Sequence, residues 1–80
     1  MFSVYVLRSL RNGKRYIGFT GTTVMIRLEQ HNQGTNAYTK HNRPFELIHM
    51  ETLATKTEAI QREKFLKSGK GREFLDKVLK

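Results

Sequence analysis

Tyr5, Tyr16, Arg27, His31 and Glu63 bring together two phenols, a permanently protonated guanidinium, an imidazole and a carboxylate. Those groups suit hydrolysis of a phosphodiester, which needs an activated water, a cation facing the developing charge, and help for the leaving oxygen. Taken singly, each has a plainer explanation. The tyrosines suit ordinary strand positions. Arg27 suits a side chain with its stem on the core and its head in water, and His31 a satisfied buried imidazole. Glu63 suits a structural ion pair, with Arg27 as one candidate partner. What distinguishes the five is their combination and the elements that must position them.

Phe2 to Leu7 is apolar apart from Ser3 and reads as a strand. Asn12-Gly13 is the signature of a type I′ hairpin turn. Lys14 to Phe19 then returns antiparallel, pairing residues 2–7 with 15–19 and placing Tyr5 and Tyr16 on neighbouring strands. Thr20-Gly21-Thr22 ends the second strand, and Thr22 or Thr23 caps a helix to about Gln33. On that helix Arg27 and His31 lie one turn apart on a shared face, beside Val24 and Leu28. Gly34 stops the helix. Residues 34–43 read as a polar loop, and Pro44 opens a third strand over Phe45–Glu51.

Thr55 and Glu58 form a capping box for a helix to about Lys67, closed at Gly69. Glu63 falls on its core-facing arc, near Ala59, Ile60 and Leu66. A buried carboxylate there costs free energy unless it is paired or bound to a metal. Glu29, Glu51 and Glu73, by contrast, read as solvated surface charges. A last helix, about Arg72 to Leu79, buries Phe74, Leu75 and Val78. The order β-β-α-β-α-α predicts an α+β fold, a three-stranded antiparallel sheet flanked by helices.

Eighty residues predict one domain spanning 1–80. Without cysteine there is no disulfide or thiolate zinc site, which fits a reducing, cytoplasmic compartment. No apolar run approaches the ~18 residues of a membrane span, and the first residues lack the basic start of a signal peptide. Fifteen Lys plus Arg against seven Asp plus Glu give a net charge of +8, an attraction for polyanions. Charge alone does not separate DNA, RNA and anionic lipid. No amphipathic basic helix with a broad apolar face stands out, so nucleic acid is the favoured partner. The three histidines lack zinc-ligand spacing, and no Walker loop, dinucleotide fingerprint or nucleophile elbow occurs.

Together these residues resemble the GIY-YIG nuclease superfamily, especially its small single-domain bacterial members. Ser3-Val4-Tyr5 stands at the first motif and Tyr16-Ile17-Gly18 is the second, intact. Arg27 matches the family's helical Arg, His31 its following His or Tyr, and Glu63 its metal-binding Glu. The segments His31-Asn32-x-Gly34, Tyr38-Thr39, Arg43-Pro44 and Leu66 to Arg72 extend the likeness over residues 2–79. The chain departs from the pattern at Ser3 and Val4, at Phe19 where a Lys often follows, and at Leu75 where many members carry Asn.

The resemblance implies a metal-dependent endonuclease acting on DNA, branched or single-stranded forms included, structure-selective or low in sequence specificity, of the kind used in DNA repair. It implies that Glu63 holds one Mg²⁺ or Mn²⁺, that Arg27 meets a non-bridging oxygen, and that Tyr5 is the general base. Tyr5 then needs its pKa lowered by Arg27 and the metal. Tyr16 fixes geometry, and His31 either relays a proton or binds phosphate. Lys14, Arg15, Lys40, Arg43, Lys64 and Lys67 would guide the backbone. The alternative is a non-catalytic or partner-dependent nucleic-acid-binding module on the same fold, with specificity supplied by a partner protein.

Overall fold

The computed structural model describes residues 1–34 and 37–79. Strands β1 (Phe2–Ser9), β2 (Arg15–Thr20) and β3 (Phe45–Leu53) form one antiparallel sheet in the order β2-β1-β3. The near-continuous apolar run of β1 reflects its central place, because both of its faces are covered. Val4 and Val6 pack on one side against Ala59, Leu66 and Leu75. Tyr5 and Leu7 pack on the other against Val24 and Phe45. Helix α1 (Val24–Gln33) thus covers the Tyr5 face, while α3 (Lys56–Lys67) and α4 (Gly69–Val78) cover the Val4 face. Helix α3 also packs along β2, the strand at one sheet edge. No helix among the described residues is long and apolar enough to cross a membrane.

The hairpin pairs as expected, but its turn is different. Gly13 has φ 75°, yet no non-glycine residue among the described residues has positive φ, so Asn12 cannot complete a type I′ turn. A longer loop closes instead, with the Gly13 N–H donating to the Ser9 carbonyl at 2.9 Å and the Ser9 N–H to the Lys14 carbonyl at 2.8 Å. Side chains supply the remaining partners. Asn12 Oδ1 accepts from the Lys14 N–H at 3.0 Å, and Ser9 Oγ accepts from the Arg11 N–H at 3.1 Å.

A short helix, α2 (Ala37–Asn42), occupies much of the expected polar loop. Its C-terminal carbonyl at Asn42 accepts from the Ser9 hydroxyl at 2.5 Å. Tertiary contact with the hairpin thus organises a segment whose composition favours loop. Positions 35 and 36 of that loop lie outside the described residues.

The start of α4 is a second difference. Gly69 does not merely close α3; it opens α4, three residues before the expected start. Ser68 is the C-cap of one helix and the N-cap of the next, its Oγ accepting from the Gly71 N–H at 3.2 Å. Gly71 is buried where the two helices meet, and a Cβ there would fall on the Phe65 carbonyl and the Leu66 backbone. Backbone cannot swing aside as a side chain can. Gly71→Ala should therefore destabilise by about 1–3 kcal/mol, the usual cost of overpacking. Urea denaturation would register it as a lower midpoint at an unchanged slope; an unchanged midpoint would contradict the packing described.

Glu51 is not the solvated charge its sequence context suggested. It accepts from Arg62 Nε at 2.6 Å, from the Arg62 terminal nitrogen at 3.1 Å and from His49 Nε2 at 2.8 Å. The Arg62 guanidinium lies 4.8 Å from the Phe65 ring centre and 4.9 Å from that of Phe74. Burial alone would raise the Glu51 carboxyl, but Arg62 and His49 together outweigh it and hold its pKa below the ordinary value. This network ties β3 to α3 and α4.

Candidate active site

Strand β1 carries Tyr5 into the middle of the sheet, only 1% exposed. Its cross-strand partner is Gly18. A Cβ at that glycine would stand 2.7 Å from the Tyr5 hydroxyl and 2.9 Å from the carbon that bears it. The glycine of Tyr16-Ile17-Gly18 is thus the space in which the phenol lies. Tyr16, two residues earlier on β2, projects to the same face.

Helix α1 starts at an N-cap, Thr23, whose side chain accepts from the Ile26 N–H at 3.4 Å. It lays Arg27 and His31 one turn apart on the Tyr5 face. His31 is fully buried, with Nε2 2.9 Å from the Tyr5 hydroxyl. The ring of Tyr16 lies 4.7 Å from that of His31, centre to centre, and Tyr5 lies 5.9 Å away. Tyr16 also leans toward Phe45 at 6.5 Å. The half-buried Arg27 donates to Gln30 Oε1 at 2.5 Å, and its charge acts directly on the Tyr5 hydroxyl. Gln30 was not singled out from the sequence; its only signal is its spacing of one turn from Arg27.

Electrostatics decide the protonation of the central pair. Burial pushes the Tyr5 pKa above its ordinary value, and the opposing pull of Arg27 is too weak to reverse it. Arg27 thus pulls the phenol in the expected direction but does not by itself bring it below the ordinary value. Burial likewise lowers His31, and the nearby Arg27 charge adds to that. At neutral pH the pair is therefore a protonated phenol beside a neutral imidazole. The other ring nitrogen, His31 Nδ1, is buried with no partner among the described residues.

Glu63 stands at the rim of α3, its side chain 18% exposed, while Ala59 and Leu66 fill the core positions. Its close ionic neighbour is Lys67, with Nζ 3.6 Å from Oε1, rather than Arg27. Its charge nevertheless reaches the Tyr5 hydroxyl. Among the described residues, no three His, Asp or Glu side chains gather into a potential metal cage. A single carboxylate does not suit zinc. It does suit a hard cation that keeps most of its waters and takes further oxygens from a phosphate, as Mg²⁺ does.

The six expected backbone-guiding residues do not fall together. Lys14, Arg15 and Lys67 line one groove of about 710 Å³ that Tyr16 also borders. Arg72 joins them there. Arg15 is partly engaged, 2.8 Å from Asp76. Lys64 is exposed on α3 beside Glu63 but outside the groove lining. Arg43 instead serves the end of α1, donating to the Gln33 carbonyl at 3.1 Å, and Lys40 packs with it around Gly34.

Two tyrosines on the paired strands β1 and β2, a helical Arg and His on the same face, and one rim carboxylate are the arrangement expected of a nuclease domain. The family model of the GIY-YIG catalytic domain matches residues 1–75, and the chain belongs to that family. It is similar to a UPF0213 protein of Staphylococcus epidermidis, 41% identical over 66 residues, which cover 81% of this chain and 78% of the relative. A UPF0213 protein of Staphylococcus aureus is 39% identical over the same shares. The solution NMR structure of a UPF0213 protein from Bacillus halodurans superposes with a TM-score of 0.56 at 33% identity, covering 98% of this chain and 85% of that one.

Proposed function

We infer that the protein is a divalent-metal-dependent endonuclease that hydrolyses phosphodiester bonds in DNA, with little sequence preference. The observation that carries this reading is the buried 2.9 Å contact between Tyr5 and His31 beside Arg27, in a chain of a nuclease family. Neutral His31 takes the phenolic proton at Nε2, and the Tyr5 oxygen then accepts a proton from the attacking water. Arg27 presents a fixed fork to a non-bridging phosphate oxygen. Tyr16 packs against His31 and keeps its ring in place. Glu63 would hold one Mg²⁺ or Mn²⁺. When bound, that ion neutralises charge on the phosphate and the departing oxygen, and favours the Tyr5 phenolate.

The test is nicking of supercoiled plasmid and cleavage of single-stranded, duplex and branched oligonucleotides, with Mg²⁺, Mn²⁺ or chelator. Wild type should cleave with either ion and stop with chelator. Arg27→Ala should slow turnover by about 10²–10³-fold, the effect of losing one preorganised donor. DNA that is bound but never cleaved, whatever the ion, would favour the alternative of a binding module that works with a partner protein.

Binding should itself be salt-sensitive. Four groove cations meeting phosphates give a slope of log K on log salt of roughly −3.6 on duplex DNA and roughly −2.8 on single strands. With no base-reading element in view, unrelated duplexes of equal length should bind alike. Fluorescence anisotropy across a salt series measures both, and a slope near zero would count against the groove as the DNA path.

A further inference from the structure

Lys67 belongs to two neighbourhoods at once. Its ammonium lies 3.6 Å from the Glu63 carboxylate, and its side chain also lines the groove with Lys14, Arg15 and Arg72. We propose that Lys67 is a switch between them: it neutralises Glu63 in the free protein and moves to a phosphodiester strand laid in the groove, so that nucleic acid and divalent cation bind cooperatively. This rests on Glu63 holding the cation, as inferred above.

The geometry favours a movable pair. Lys67 is 54% exposed on a flexible four-carbon stem, and N to O at 3.6 Å is an ionic contact rather than a tight hydrogen bond. Exposed pairs of this kind are weakly held. The cost falls on the cation. Glu63 belongs to no group of three or more His, Asp or Glu side chains among the described residues, and a neighbouring ammonium opposes a divalent ion directly. A phosphodiester offers Lys67 a replacement anion. The side chains of Lys14 and Arg72, in no ion pair among the described residues, already attract one to the groove. Each ligand favours the arrangement in which Lys67 has left Glu63. By linkage, each must then strengthen the other by the same factor.

Two measurements test this. The first is Mn²⁺ titration of the protein without nucleic acid, with free ion followed by electron paramagnetic resonance. Lys67→Met and Lys67→Gln, both good helix formers, should bind Mn²⁺ about twofold more tightly than wild type, the fold-change that an exposed helical ion pair can withhold. Glu63→Gln should bind it far more weakly.

The second is anisotropy of a labelled phosphorothioate-linked single-stranded oligonucleotide, which resists hydrolysis, at fixed ionic strength with and without Mn²⁺. Glu63→Gln reports the ion's effect on the oligonucleotide itself. Beyond that baseline, Mn²⁺ should tighten binding to wild type more than to either Lys67 variant. Circular dichroism melts establish that each variant is folded. If Mn²⁺ binding depends on Glu63 but is unchanged or weaker in both Lys67 variants, or if Mn²⁺ tightens all three proteins alike, the switch is overturned and the metal reading stands. If Glu63→Gln binds Mn²⁺ as wild type does, both fall.

Discussion

Glu63→Gln should abolish metal-dependent cleavage without weakening salt-sensitive DNA binding in the absence of metal. The substitution keeps the side chain's shape and removes its charge, which is what a hard cation requires. No group of three or more His, Asp or Glu side chains among the described residues forms an alternative site. The fold should survive. Glu63 sits on the rim of α3, and its contact with Lys67 is a helical pair of a kind that contributes about 0.3–0.5 kcal/mol. Binding should not suffer either, since the change raises the net charge by one and leaves every groove cation in place. Plasmid nicking followed beside anisotropy on the same preparation separates these effects. Equal cleavage by wild type and variant would leave the fold intact and remove Glu63 from the mechanism. Loss of binding together with cleavage would point to a folding defect instead, which thermal unfolding would reveal.

Much of the scaffold was legible because its signals are local. The apolar run of β1, the Thr55–Glu58 box and the glycine stop at Gly34 each act within a few residues, and each marks a real boundary. The antiparallel hairpin also follows, although its turn is not type I′, because two strand-forming runs flank a short Asn-Gly loop whose closure can vary.

What was not legible depends on distant partners. Helix α2 is docked by Ser9, far away in sequence. Gly69 reads locally as a stop, yet Ser68 caps a new helix there. Among the candidate residues, order and spacing were enough to gather Tyr5, Tyr16, Arg27 and His31 on one face. They could not reveal that Glu63 would face Lys67, or that burial would overcome Arg27 at Tyr5. Desolvation is a sum over everything packed around a group, and no single spacing encodes it.

Tyr5→Phe isolates the hydroxyl on which the proposed chemistry turns. The ring still fills the space above Gly18, so packing is preserved. The hydrogen bond to His31 is lost, leaving a buried imidazole with neither nitrogen partnered among the described residues. That should cost about 1–3 kcal/mol of stability. Turnover should fall about 10²–10⁴-fold, the span of general acid–base catalysis.

The pH profile carries the sharper signature. His31 must be neutral to receive the phenolic proton, and its pKa is held below 6.5. The rate of wild type should therefore rise with pH through an acid limb centred below that value and then level off. Stability should move in the same direction. Between the depressed folded pKa and 6.5 the unfolded chain binds more protons, so acidification through this range favours unfolding. In Tyr5→Phe the residual rate should lose the His31 limb, because no proton passes between the two groups. Should Tyr5→Phe keep the wild-type rate with the same limb, water is activated elsewhere, and the buried pair is a structural contact.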